Sequence, residues 1–201
     1  MSGSENPKNS GIKGRRIRAY FIEAAKEIIL REGVENVSVR KVADTAGYSY
    51  ATIYNYFSDL NALLREVKLS MVQDMIAYMG GVHDGKVNGI DDIRKINRMY
   101  VGYYLQHPHI FRFFYSYRLT YEEKDAGQYF DYDMHWQDTY QCLVVDGTIR
   151  KEDIGVLAKT IIYAMHGLLA LYFSDNGLTQ EALLNDLDHL TEYLLKRRDL
   201  S

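Results

Sequence analysis

From Arg15 onward, apolar residues return every three or four positions. Ile17, Phe21, Ala24, Ala25 and Ile28 form one stripe at helical spacing, and Gly33 ends it. Ser38 is suited to cap a second, short helix that turns Val39, Val42, Ala43 and Ala46 inward. Gly47 breaks this helix, and Ser49 opens a third that the pattern carries to Phe57. Asp59 caps a long fourth helix, ended by Gly80 and Gly81 at the start of a glycine-rich connection that runs to Gly89. Helical spacing then fills residues 91–107, a segment from Pro108 to about Tyr117, and residues 122–145 behind the capping box Thr120–Glu123. Two more helices are predicted at about 151–174 and 179–198. Thr179 caps the last, and Lys196, Arg197 and Arg198 stand at its C-terminal end, where the helix dipole favours cations. No period-two alternation or internal repeat stands out. The expected fold is all-α, with about nine helices.

Composition changes this picture in two places. Residues 1–14 are rich in Ser, Gly, Asn and Lys, and read as a disordered basic arm ahead of the first helix. Charge is also divided unevenly. Residues 1–58 carry nine Lys/Arg against six Asp/Glu, whereas the remainder carries 15 against 21. A basic head on an acidic body suits one end that meets a polyanion. Cys142 is the single cysteine, so an intrachain disulfide or a cysteine-cluster metal site is excluded and a reducing cytoplasm fits. The longest near-apolar run, Ala164 to Phe173, is too short to span a bilayer, so no membrane association is expected.

Candidate chemistry concentrates in residues 43–57, "ADTAGYSYATIYNYF". Three short helices, the last two joined at a glycine, match a helix-turn-helix. Ala43 supplies the small side chain at the helix crossing, Gly47 the turn, and Ile53 the apolar anchor of the third helix. At 100° per residue, Ile53 and Phe57 define the buried side of that helix. Ala51, Thr52 and Asn55 fall opposite, with Tyr54 and Tyr56 flanking them and Tyr50 in the first turn, which in this motif enters the major groove. Tyrosine hydroxyls suit phosphate oxygens, and Asn suits a base edge or a phosphate. Tyr48 occupies the usually apolar turn position.

The stretch "SVRKVADTAGYSYATIYNYFSDLNALL" resembles the DNA-binding signature of the TetR family of transcriptional regulators, with the likeness specific over residues 15–64. Farther along, "AMHGLLAL" is similar to a common C-terminal segment of that family. The resemblance implies a DNA-binding head at residues 15–58, and a homodimer whose larger domain, residues 59–201, holds a ligand pocket. By position, it implies DNA contacts from Ser38 and Arg40, base-facing roles for Tyr50, Ala51 and Thr52, and phosphate or neighbouring base contacts from Tyr54, Asn55 and Tyr56. Many members carry a phosphate-gripping lysine where this chain has Leu60. The basic residues Lys8, Lys13, Arg15, Arg16 and Arg18 are candidates to replace that contact.

The larger domain is unusually aromatic; the chain holds 18 tyrosines. Buried tyrosine hydroxyls need partners, and a cavity with water or a polar ligand would supply them. Tyr100, Tyr103, Tyr104, Phe111, Phe114, Trp136, Tyr140, Tyr163 and His166 are the candidate lining of the pocket, and a neutral, partly apolar effector is expected. Acidic residues from Glu122 to Asp138 read as a solvated helix face. His107 and His109, flanking Pro108, lack a matching third ligand and read as a helix start, so no metal or other cofactor is expected. In the last two helices, Ile161, Met165, Leu168, Leu187, Leu190 and Leu194 are the candidate dimer seam, and the resemblance implies a four-helix bundle there.

No nucleophile–base arrangement, Glu-x-x-His pair or phosphate loop points to an enzyme. The expected protein is a sequence-specific regulator, a repressor released from a palindromic operator on double-stranded DNA by a small-molecule effector. The alternative is a DNA-binding protein without such a ligand, controlled by its abundance or by a protein partner.

Overall fold

The computed structural model describes residues 7–82, 87–120 and 132–195, and the side chains within 11–80, 87–120 and 139–195. Among the described residues, nine α-helices follow one another and no strand occurs. They are α1 (Pro7–Glu32), α2 (Val39–Ala46), α3 (Tyr50–Ile53), α4 (Leu60–Val82), α5 (Ile90–Gln106), α6 (Pro108–Tyr115), α7 (Tyr132–Val145), α8 (Ile154–Phe173) and α9 (Gln180–Leu195). Short 3₁₀ turns at Val34–Asn36 and Lys151–Asp153 complete the described elements. The chain forms two compact units: Met1–Asp74 with His107–Gln128, and Met75–Gln106 with Tyr129–Ser201. Helix α4 therefore belongs to the first unit up to Asp74 and to the second from Met75.

Helix starts follow the side-chain caps. Ser38 accepts from the Lys41 N–H at 3.2 Å, Asp59 from Ala62 at 2.7 Å, and Thr179 from Ala182 at 3.1 Å. Two helices differ in length from the periodicity. α1 begins at Pro7, eight residues before Arg15, so Lys13 extends the helix and does not lie in an irregular arm. Proline suits the first helical turn because its missing N–H would have no partner there. α3 ends at Ile53, and residues 54–56 continue as a tighter turn, with the Asn55 N–H bonded to Thr52 O at 3.2 Å and Tyr56 to Ile53 O at 3.0 Å. Thr52, Ile53 and the aromatics that follow have weak helix preference, which favours this early tightening. Phe57 still donates to Ile53 O at 3.0 Å, so both anchors stay on the buried side.

The core of the first unit gathers Phe21, Ala25, Ile29, Val42, Ala43, Ile53, Leu63 and Val67, each at most 2% exposed, with Phe113 of α6 at 0%. Gly33 lets α6 approach the end of α1. Its φ is +89°, and a Cβ there would lie 3.2 Å from His109 Nδ1 and 3.0 Å from Glu35 Oε2.

In the second unit, α5, α7, α8 and α9 enclose a core containing Ile93, Tyr100, Val101, Leu143, Met165, Leu169, Leu183 and Leu195. The segment Lys151–Phe173 is long and apolar enough to cross a membrane by length and composition. Its residues Ile154, Ala158, Ile161, Ile162, Met165, Leu168 and Leu169 are buried in the unit's own core. Residues 121–131, including Tyr121, Glu122, Glu123, Tyr129 and Phe130, and the cations Lys196, Arg197 and Arg198 lie outside the described residues.

Candidate nucleic-acid interface

The turn between α2 and α3 is built from backbone requirements. Gly47 takes the left-handed conformation, φ 75° and ψ 28°, and donates to Asp44 O, while Tyr48 N–H donates to Ala43 O at 2.9 Å. Ala43 is fully buried, as the close crossing demands. Ser49 then caps α3, accepting from Thr52 N–H at 3.3 Å, and its hydroxyl lies 2.7 Å from the Thr52 hydroxyl. Tyr48 packs 5.3 Å from Phe21 and 6.3 Å from Tyr20, so the turn tyrosine serves the core.

The predicted DNA-facing residues separate into two groups. Tyr50, Ala51, Tyr54 and Asn55 are exposed on and just after α3, while Ser38 and Arg40 are exposed at the start of α2. Among the described residues, Arg40 has no ion-pair partner, which leaves its guanidinium available. Its neighbour Lys41 is paired with Glu32. Thr52 and Tyr56 are only half-exposed. The Thr52 hydroxyl is bonded to Ser49, and the Tyr56 ring lies 5.9 Å from Phe21. Tyr50 and Tyr54 meet each other, with hydroxyl oxygens 3.0 Å apart.

Of the basic residues proposed to grip DNA, Lys13, Arg15 and Arg16 are exposed on the first turns of α1, and the Lys8 side chain lies outside the described residues. Arg18 is engaged elsewhere. Its Nε donates to Glu66 Oε2 at 2.8 Å, Nη2 pairs with the other oxygen, and Nη1 donates to Tyr56 O at 2.6 Å. Its guanidinium also sits 4.5 Å from the centre of the Phe57 ring. Arg18 therefore ties α1 and α4 to the turn after α3. Partners 38 and 48 residues away gave no local signal of this role. Lys26 is tied down in the same unit by Asp74 at 2.6 Å and Glu23 at 2.9 Å. Burial opposes its charge, yet those carboxylates hold its pKa above the ordinary lysine value.

The predicted pocket residues are divided between the two units. Phe111 and Phe114 are buried in the first unit, whereas Tyr100, Tyr103, Tyr104, Tyr140 and His166 belong to the second. The Trp136 side chain lies outside the described residues. Tyr163 is 67% exposed, because its position on α8 faces away from the core. The buried hydroxyls find partners within the chain. Tyr100 Oη lies 2.7 Å from His166 Nε2, and Tyr140 donates to Asn97 Oδ1 at 3.3 Å, with Asn97 in turn donating to Thr191. Burial lowers the His166 pKa from 6.5 to about 4 and pushes the Tyr140 phenol well above its usual range.

Four of the six predicted dimer residues, Ile161, Met165, Leu168 and Leu187, are at most 8% exposed in the single chain. They close α8 against α9 and are not offered to a partner. Leu194 is half-buried, and Leu190 is 38% exposed. The opposite arc of α8 is open: Val156, Thr160, Tyr163, Gly167, Ala170 and Leu171 fall within about 100° of one another on a helical wheel. The sequence pattern alone did not tell which of the two apolar faces of α8 was internal, because small and β-branched residues also lie on the outer arc.

An all-α chain with this two-helix frame and exposed third element is a helix-turn-helix protein of the DNA-binding class. The profile of the family described as "Bacterial regulatory proteins, tetR family" matches residues 21–67. The chain matches it over the helix-turn-helix and the start of α4. It is 30% identical over 79 residues to the HTH-type nicotine-responsive transcriptional repressor HdnoR of Paenarthrobacter nicotinovorans, a stretch spanning 39% of each protein. Its fold is similar to the fatty acid degradation regulator FadR from Bacillus halodurans, with TM-score 0.66 and 15% identity, covering 86% of this chain and 96% of that one. It is likewise similar to a tetR-family transcriptional regulator from Streptomyces coelicolor, with TM-score 0.67 and 16% identity over 90% of this chain and 80% of that one.

Proposed function

We propose that the chain is a cytoplasmic, homodimeric transcriptional repressor that binds a palindromic operator and is released by a small-molecule effector. The observation that carries the DNA reading is the division of labour around α3. Ile53 and Phe57 are buried at 2% and 4%, while Tyr50, Ala51, Tyr54 and Asn55 stand in solvent on α3 and the turn that follows it. Hydroxyl and amide groups on an exposed face suit phosphate and base edges. Arg40, free to make a bidentate contact with guanine, is the strongest base reader in the set. Lys13, Arg15 and Arg16 provide the phosphate contacts that Leu60 cannot.

Dimerisation through the outer arc of α8 and the exposed Leu190 and Tyr193 of α9 would give two heads a twofold axis, matching two half-sites. The effector reading is supported by the match of the head to that family and by the name of the nicotine-responsive relative. A neutral, partly apolar molecule suits a second unit rich in buried tyrosine. Helix α4 is shared by both units, so a ligand that favours one setting of α4 changes operator affinity only by its differential affinity for the two states. Selection from a random duplex pool at near-physiological salt tests the proposal. Enrichment of a palindrome is the expected result, and salt-sensitive binding without enrichment would overturn sequence-specific regulation.

A further inference from the structure

Tyr50 opens α3 and Tyr54 caps its end, four residues later, so both stand on one side of the helix. Their rings are 53% and 45% exposed. Each could be solvated alone, yet they are held together. The ring centroids lie 5.3 Å apart at an interplanar angle of 76°, edge to face, and the hydroxyl oxygens are 3.0 Å apart.

The proton inventory of this pair limits what it can do. Each phenol carries one O–H, and one of the two protons lies between the oxygens. The pair therefore turns a single O–H outward. A phosphate oxygen only accepts, so it must be met by that free donor. Either oxygen can be the donor within the pair. Tyr50 stands in the first turn of α3, the end that enters the major groove in this motif, and at 53% against 45% it is the more exposed of the two, so its O–H is the one placed to act outward.

We propose that Tyr50 and Tyr54 act on DNA as one hydrogen-bond donor, in which the Tyr50 hydroxyl meets a phosphate oxygen and Tyr54 is a positioning residue that aims it. The assignment rests on the reading of α3 as the DNA-facing element. It departs from the expectation that each tyrosine makes its own contact. The T-shaped ring contact fixes the separation of the oxygens, and the inner hydrogen bond fixes the direction of the outer one. Phosphates are the same at every base pair, so the contribution is common to all duplexes.

Phenylalanine removes each oxygen and keeps the ring contact. Dissociation constants of the full chain for the selected duplex and for an unrelated duplex are measured for wild type, Tyr50→Phe, Tyr54→Phe and the double variant, with a Tm for each. Each single change is expected to weaken both duplexes about 2- to 10-fold, the worth of one ordinary hydrogen bond. The double variant is expected to weaken binding no more than the larger single change, with Tm unchanged throughout. Effects that multiply in the double variant would mean two independent contacts and would overturn the proposal. Full affinity in Tyr50→Phe would overturn it as well. A merely structural Tyr54 would show itself as a lowered Tm. Retention of no duplex by the wild-type chain would overturn the DNA-facing reading and the pair with it, whereas normal wild-type binding with multiplicative effects would sink the pair alone.

Discussion

His166 shows how one buried ring makes the fold sensitive to acid. Its pKa is about 4 in the folded chain and 6.5 without burial. Between those values the unfolded chain binds a proton that the folded chain does not. Stability is therefore whole above pH 6.5 and declines as pH falls toward 4, by at most about 1.4 kcal/mol per pH unit from this group. His166→Gln is expected to flatten that part of a urea-denaturation profile against pH, and an unchanged slope would assign the decline to other groups. Tyr140→Phe acts without a charge. It removes the donor to Asn97 Oδ1 in a site where Tyr140 and Asn97 are both fully buried. A cost of about 1–3 kcal/mol is expected from the unmet acceptor, read as a lowered midpoint in denaturant. At the DNA face, Arg40→Ala is expected to cost roughly 1–3 kcal/mol on the selected operator and to relax sequence preference. Equal weakening on operator and unrelated duplex would make Arg40 a phosphate ligand only.

At the scale of elements, caps were the most legible feature. Ser38, Gly47, Ser49, Asp59 and Thr179 are local chemistry, and each marks the boundary where the structure has it. Lengths were less legible, because a stripe of apolar residues continues through a tight turn as well as through a helix. Phe57 keeps its buried place although α3 stops at Ile53. The three-way tie of Arg18 was invisible for a different reason: its partners are on other elements. In a sequence it was one more arginine in a basic stretch. The ion pair with Glu66 is partly exposed, at 38% and 32%, so its own worth is modest. The bond to the Tyr56 carbonyl gives it leverage on the turn after α3. Arg18→Gln is expected to change Tm by only a few degrees while weakening every duplex, and unaltered DNA binding would show that the turn holds itself.

At the scale of the whole molecule, burial decides between two apolar faces of α8. A charge placed on the outer arc, as in Tyr163→Glu, is expected to give monomers in sedimentation velocity with secondary structure intact, since Tyr163 is 67% exposed in the single chain. A persistent dimer would move the seam elsewhere. Met165→Glu, by contrast, would put a charge at a fully buried position and unfold the second unit. The sequence conveyed that α8 and α9 were apolar enough for two tasks, but single-chain packing was needed to divide them. The same scale contains the N-terminal cations. Deleting residues 1–13 removes Lys8 and Lys13 and is expected to lower the slope of log affinity against log salt by about 0.9 for each phosphate they neutralise. An unchanged slope would place both lysines away from the duplex.

The frame around α3 also bears on how such a protein changes over generations. Ala43, Gly47, Ile53 and Phe57 are fixed by packing and backbone geometry, and Ser49 by its cap. Ala51 and Asn55 carry no part of that load, and Arg40 stands outside it as well. Mutations at these three positions are nearly free of folding penalties, so the alphabet that reads an operator can drift while the grammar that holds the head together stays constant. A lineage built on this head can acquire a new target site one substitution at a time without passing through an unfolded intermediate.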